Sequence, residues 1–169
     1  PAVIIGLALI VFAVAFKLSL APFHKWTPDV YAGAPAPIAT FLATVAKVAM
    51  IGLFVRYVLS SGLILADSFV TIISIIAVLS ILAGNLLAVR QVNLKRILAY
   101  SSIAHFGYLL VAIVSSRNTD FLQVQGFATF ESVNVYVITY VLTTIGAFGV
   151  VTLMSSPYNN TDEAGSLAE

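Results

Sequence analysis

The sequence predicts an all-α polytopic membrane protein, and three observations carry that prediction. Mean hydropathy is +1.05, with 60% hydrophobic and only 9% charged residues among 169. That composition excludes a soluble domain. Apolar segments recur along nearly the whole chain, most of them near the ~20 residues that a ~30 Å hydrocarbon layer requires. The runs are unbroken instead of alternating residue by residue. They therefore read as helices, which satisfy every backbone group internally, and not as strands of a transmembrane barrel.

The elements follow in order. The first segment covers residues 2–17 and a short second piece covers 22–32. Pro22 removes a backbone donor between them and disturbs the preceding turn. The two pieces are thus expected to make one crossing, a helix broken near residues 18–21. The third span, 36–60, starts just past the turn AGAPAP, whose prolines suit a helix N-terminus. The fourth, 66–90, has Asp67 and Ser68 as expected N-terminal caps. The fifth covers 94–115, and the sixth covers 129–155, ending before Pro157. Residues 156–169 form a polar tail. The chain opens inside an apolar run without Met or a basic leader and closes on NNTDEAGSLAE. It is expected to be an internal piece of a longer polypeptide, with no signal peptide.

Orientation comes from charge. The link RQVNLKR holds Arg90, Lys95 and Arg96 within seven residues, and no other loop carries such a cluster. The positive-inside rule puts loop 90–96 in the cytoplasm. Alternation then assigns 60–67 and 116–127 to the outer face, and the AGAPAP turn and the tail 156–169 to the cytoplasmic side.

Within this frame a few polar residues stand at mid-depth. Lys47 is the twelfth of 25 residues in its span, and His105 the twelfth of 22 in its own. Lys17 ends the first half-helix, also near mid-depth if both pieces share a crossing. A lysine at a helix centre costs about 2.5–3.5 kcal/mol on insertion scales, and from there it is too short to snorkel to a headgroup. A buried lysine, unlike an arginine, can release its proton near neutrality, and a histidine suits a relay position between lysines. The alternative for His105 is a hydrogen-bonded packing residue. Arg56, near the outer end of its span, is expected to snorkel or to form a structural ion pair. His24 and Lys25, beside Trp26 and Asp29, are expected at the interface.

The supporting polar residues are Ser101, Ser102 and Tyr108 on the fifth span, with Tyr136, Tyr140 and Thr144 on the sixth. Such hydroxyls commonly bond across helices, and some can equally hold waters in a proton wire. Tyr136, Tyr140 and Thr144 repeat at intervals of four and share one helix face, which is expected to look into the bundle. Lys17 sits at the C-terminal end of its half-helix, where the helix dipole favours a cation. Broken helices beside ionisable groups recur in ion-coupled transporters, so the break at Pro22 is expected to mark a pathway. The absence of Cys excludes thiolate-held zinc and cysteine-held iron–sulfur clusters, and two histidines offer no obvious haem pair. No metal or cofactor is expected in this chain.

The stretches FKLSLAPFHKWTPDVYAGAPAPIATFLATVAKVA, NLKRILAYSSIAHFGYLLVAI and YVITYVLTTIGAFGVV resemble the antiporter-like, proton-conducting membrane subunits of respiratory complex I, the NADH:quinone oxidoreductase. HKWTPDVYAGAP together with Lys47 and a sixth span free of lysine points to one subunit type of the bacterial complexes. The resemblance covers nearly the whole chain. It implies a fourteen-helix fold with two inverted five-helix repeats, each holding a broken helix, of which this chain is a fragment. It also implies that Lys17, Lys47 and His105 lie on the proton pathway, with Tyr136, Tyr140 and Thr144 where some sister subunits carry histidines and a lysine. The acidic partner of Lys17 and the terminal lysine of the family are not among these residues. NAD, FMN, iron–sulfur clusters and quinone are expected in other subunits, and the expected partners are the other membrane-arm subunits, sister antiporter-like subunits among them, and the bilayer. No nucleic acid is implied, and the location is a bacterial cytoplasmic (inner) membrane.

Proton translocation coupled to quinone reduction elsewhere in the complex is the leading functional expectation. Two alternatives stay open at this point: a subunit of a multi-subunit cation/proton antiporter, and a non-conducting scaffold subunit. A solute transporter ranks low, because no sugar- or amino-acid-binding signature is present.

Overall fold

A computed structural model describes residues 2–117 and 125–154, with side chains over 5–117 and 131–154. The expected tail 156–169 lies outside the described residues. Among the described residues, six longer helices follow in chain order: α1 (Ala2–Leu18), α2 (Trp26–Gly33), α3 (Ala36–Ser61), α4 (Asp67–Ala88), α5 (Leu94–Ser115) and α6 (Gln125–Met154), with a 3-10 turn at Leu63–Leu65. Four of them, α3 to α6, are long and apolar enough to cross a membrane.

The break after α1 begins earlier than Pro22 and has a different author in the sequence. Ser19 takes a left-handed conformation, φ 63°, which few residues other than glycine adopt. The Ser19 N–H donates to the Phe16 carbonyl at 3.1 Å and the Leu20 N–H to the Ala15 carbonyl at 2.8 Å. This pair of bonds is the Schellman ending of a helix. Pro22 stands three residues further on, and α2 starts at Trp26 instead of at residue 22.

The turn between the half-helices is tied down from several sides. The Ala21 N–H donates to Ser80 Oγ of α4 at 2.9 Å, and the Ser80 hydroxyl donates to the Ile76 carbonyl of its own helix at 2.7 Å. Thr27 Oγ1 pairs with Ser19 Oγ at 2.5 Å. Trp26 folds back on α1: its Nε1 donates to the Phe16 carbonyl at 3.2 Å and its ring stacks on Phe16 at 5.5 Å. Each bond satisfies a polar group that the broken helix exposes in an apolar setting.

α3 starts on Pro35 and Pro37 as the sequence predicts. It loosens into a π-helical turn over Leu42–Ala46, directly before Lys47. Thr40 and Thr44 hydroxyls within this region bond back to the Ala36 and Thr40 carbonyls, each at 2.7 Å, a contact that bends helices. Gly62 ends α3 in the left-handed region, φ 67°.

α4 and α5 share the most extensive packing among the described residues. A Cβ added at Gly84 would lie 2.7 Å from the Ala104 nitrogen, and one at Gly107 would lie 2.8 Å from Ile81 Cγ1. Small residues at such crossings let backbones approach where lipid offers no hydrophobic drive to pack. α4 is not capped by Asp67 or Ser68 as expected; Asp67 is itself the first helical residue. Its carboxylate pairs with Arg117 beyond the end of α5, which joins the two outer-assigned loops on one side. Asn93 caps α5, accepting from the backbone N–H groups of Lys95 and Arg96.

Candidate functional site: a buried lysine and converging hydroxyls

Lys47 is 2% exposed. The rings of Tyr31 and Phe106 and the Ser102 hydroxyl stand around its ammonium group. Nζ stands 5.7 Å from the Tyr31 ring centre and 5.1 Å from that of Phe106. It donates to Ser102 Oγ at 2.7 Å. Ser102 Oγ in turn lies 3.0 Å from the Tyr140 hydroxyl, which is also 3.1 Å from the Ala43 carbonyl of the π-helical turn. Three helices, α3, α5 and α6, thus meet at one serine oxygen.

This geometry allows two proton orders. With a charged Lys47, Nζ–H donates to Ser102, the Ser102 hydroxyl to Tyr140, and the Tyr140 hydroxyl to Ala43. With a neutral Lys47, the Ser102 hydroxyl turns toward Nζ and the Tyr140 hydroxyl toward Ser102. Each hydroxyl keeps one donor and two acceptor sites in both cases. The site can therefore change the protonation state of Lys47 without moving a heavy atom.

His105 and Tyr136 form a second pair, with Nδ1 2.6 Å from the Tyr136 hydroxyl. The His105 ring lies 5.5 Å from that of Tyr140, so the two pairs are neighbours along α6. A cleft of about 170 Å³ joins them, lined by Ser101, Ser102, His105, Tyr140, Thr143 and Thr144 among others. The face of α6 expected to look inward does so: Tyr140 is buried, and Tyr136 and Thr144 are half-buried.

Two predicted site residues do not join this cluster. Lys17 is exposed, while its neighbours Val14, Ala15 and Leu18 supply the buried face of α1. It makes no ion pair among the described residues. Tyr108 is 42% exposed and its hydroxyl accepts from Asn85 Nδ2 at 3.2 Å. It makes an edge contact to the His105 ring and lies within electrostatic range of Tyr136. Thr139 and Thr143 bond to carbonyls of their own helix, so they do not tie helices together.

In the basic link, Lys95 is 2% exposed, and its Nζ donates to the Ala34 carbonyl just past α2 at 3.2 Å. Arg96 pairs with Asp29 of α2 at 2.6 Å. The negative end of the α2 dipole favours the buried Lys95 cation, whereas the Arg96–Asp29 pair is exposed. Arg90 is exposed. Sequence reasoning also missed Tyr31, Ser19 and Ser80, whose positions only the tertiary fold brings together.

The family model described as NADH:quinone oxidoreductase/Mrp antiporter, transmembrane, matches residues 1–168. The chain belongs to this family. Its curated relatives include the NADH-quinone oxidoreductase subunit N of Acinetobacter baumannii, 74% identical over the whole chain, and that of Psychrobacter arcticus, 54% identical over 99% of it. The chain spans 32% of the length of each. Among solved structures, respiratory complex I from Thermus thermophilus with bound aureothin superposes with a TM-score of 0.65. The identity is 38%, over 82% of this chain and 28% of the matched one. The family is a transmembrane one, and the chain is a fragment of a larger antiporter-like membrane subunit, as the sequence predicts.

Proposed function

We propose that this chain is part of subunit N of a bacterial NADH:quinone oxidoreductase and carries a section of its proton pathway through Lys47. The observation that carries the reading is the Lys47–Ser102–Tyr140 cluster, which can accept or release a proton at Nζ by turning hydroxyl groups alone. The nearby His105–Tyr136 pair and the cleft along α5 and α6 supply a route for water to Ser102. Lys17 belongs to the pathway on the same reading, with an acidic partner from another part of the parent protein. The driving reaction, quinone reduction with NAD, FMN and iron–sulfur clusters, lies in other subunits, and the membrane is the bacterial inner membrane with loop 90–96 in the cytoplasm.

The relatives bearing the name subunit N favour this reading over a cation/proton antiporter. A second reading has one observation in its favour. Lys47 is buried and paired, as it would be in a non-conducting scaffold subunit.

The test is Lys47→Ala in the full-length protein within its complex. Lower proton pumping and lower coupled quinone reductase activity at normal assembly are expected. Wild-type rates in a fully assembled variant sink the pathway role, and loss of assembly on native gels favours the scaffold.

A further inference from the structure

Lys95 is a buried cation that the pathway reading leaves without a role. It lies in the first turn of α5 at 2% exposure, and it makes no ion pair among the described residues. Burial of a charge without a counter-ion is costly, so the group that accepts from it matters. The acceptor for Nζ is the Ala34 carbonyl, 3.2 Å away. Ala34 closes α2, and Pro35 opens α3. Lys95 thus grips the joint between the broken helix and the helix that bears Lys47.

Residues from the two sides of that joint meet at the site. Tyr31, one turn before Ala34, is at 0% exposure. Its ring centre lies 5.7 Å from Lys47 Nζ and 5.9 Å from that of Phe148. Ala39 and Ala43 of α3 and Ala99 of α5 pack in the same buried cluster. Lys95, Ala99 and Ser102 fall at i, i+4 and i+7, one face of α5. That face holds the end of α2 through Lys95, packs Ala99 beside Tyr31's cluster, and bonds Lys47 through Ser102. One helix therefore sets the place of both the aromatic ring and the ammonium group beside it. Arg96 and Asp29 make a second link between α5 and α2, but the pair is exposed. Solvent screens it, and it adds little to the seating of α2.

We propose that Lys95 is a positioning residue for Lys47: its bond to Ala34 seats the end of α2 and so holds the Tyr31 ring against the ammonium group. The effect on pumping rests on the pathway reading of Lys47; the seating of Tyr31 does not. Arginine at this position keeps the charge and the donors. Methionine keeps an unbranched apolar stem and has no donor.

Density maps and pumping in sealed vesicles, measured on the assembled complex with Lys95→Met and with Lys95→Arg, test the assignment. In Lys95→Met the Tyr31 ring is expected to move away from Nζ by about 1 Å or more, and pumping to fall at least about tenfold, within the ~10²-fold that such a misplacement can cost. Lys95→Arg is expected to keep the ring in place and to restore pumping. Tyr31→Leu separates positioning from general packing. Combined with Lys95→Met it is expected to lower pumping no further than either change alone, because both remove the same contact. An unmoved Tyr31 ring in Lys95→Met, an arginine variant that pumps no better than the methionine one, or losses that multiply in the double variant overturn the proposal. Lys95→Gln, a shorter side chain that stays polar, carries the same expectations if Lys95→Met does not assemble. Unchanged pumping in Lys47→Ala would remove the pathway reading and leave the comparison of maps intact, so the two failures are distinct.

Discussion

Lys47 Nζ and Ser102 Oγ stand 2.7 Å apart, fifty-five residues distant in sequence and each 2% exposed. Removal of the serine oxygen leaves a buried ammonium with one partner fewer and leaves the Tyr140 hydroxyl to the Ala43 carbonyl. Hydrogen bonds to charged groups contribute about 1.5–3 kcal/mol. Ser102→Ala is therefore expected to lower the thermal stability of the complex by an amount in that range and to depress proton pumping. Measurement of melting and pumping on the same preparation checks both. Unchanged values for the two would mean that Lys47 has another internal partner.

The helix break makes a second prediction at Ser80. Its hydroxyl oxygen is the acceptor for the Ala21 N–H and lies at 0% exposure. Ser80→Ala leaves that N–H unpaired in an apolar setting, at a cost of about 1–3 kcal/mol. Local opening of the turn around residues 19–25 then becomes easier, by about tenfold for each 1.4 kcal/mol. Hydrogen exchange followed by mass spectrometry on the assembled complex reads this directly. Protection at the turn equal to wild type would show that Ser80 does not hold it.

Two glycines separate packing from propensity. A Cβ at Gly84 would meet the Ala104 nitrogen at 2.7 Å and the Tyr100 carbonyl at 2.8 Å, whereas one at Gly52 meets nothing within 4 Å. Overpacking costs about 1–3 kcal/mol, and here the atoms in the way are backbone. Gly84→Ala is expected to weaken the α4–α5 contact and lower the yield of assembled complex on native gels. Gly52→Ala is expected to assemble at least as well as wild type, because alanine favours a helix by about 0.8–1 kcal/mol over glycine.

These residues also mark how far the sequence could be read. Lys47, Ser102 and Tyr140 were legible because depth along a transmembrane helix is a matter of counting, and a mid-depth cation demands partners. The inward face of α6 was legible from its four-residue spacing. Tyr31 was not, since an aromatic in a short broken helix reads as ordinary packing. Ser80 looks like any serine in a membrane helix until the turn it serves is folded against it. Ser19 was hidden by Pro22, the more familiar helix breaker, because a left-handed serine has no local signature. The burial of Lys95 was not legible, because its partner carbonyl at Ala34 lies sixty-one residues upstream.

The last prediction separates a proton carrier from a structural cation at Lys47. Arginine keeps a positive charge at any physiological pH and does not deprotonate in proteins. Between the Tyr31 and Phe106 rings its guanidinium can retain the cation–π contacts, and its five donors can retain a bond to Ser102. Lys47→Arg therefore preserves what a scaffold needs and removes what a carrier needs. The expected outcome is a complex that assembles on native gels in near-normal amounts, with pumping at least tenfold lower than wild type in sealed vesicles. Wild-type pumping in Lys47→Arg would assign the residue a structural role, because a group that never releases its proton cannot pass one on.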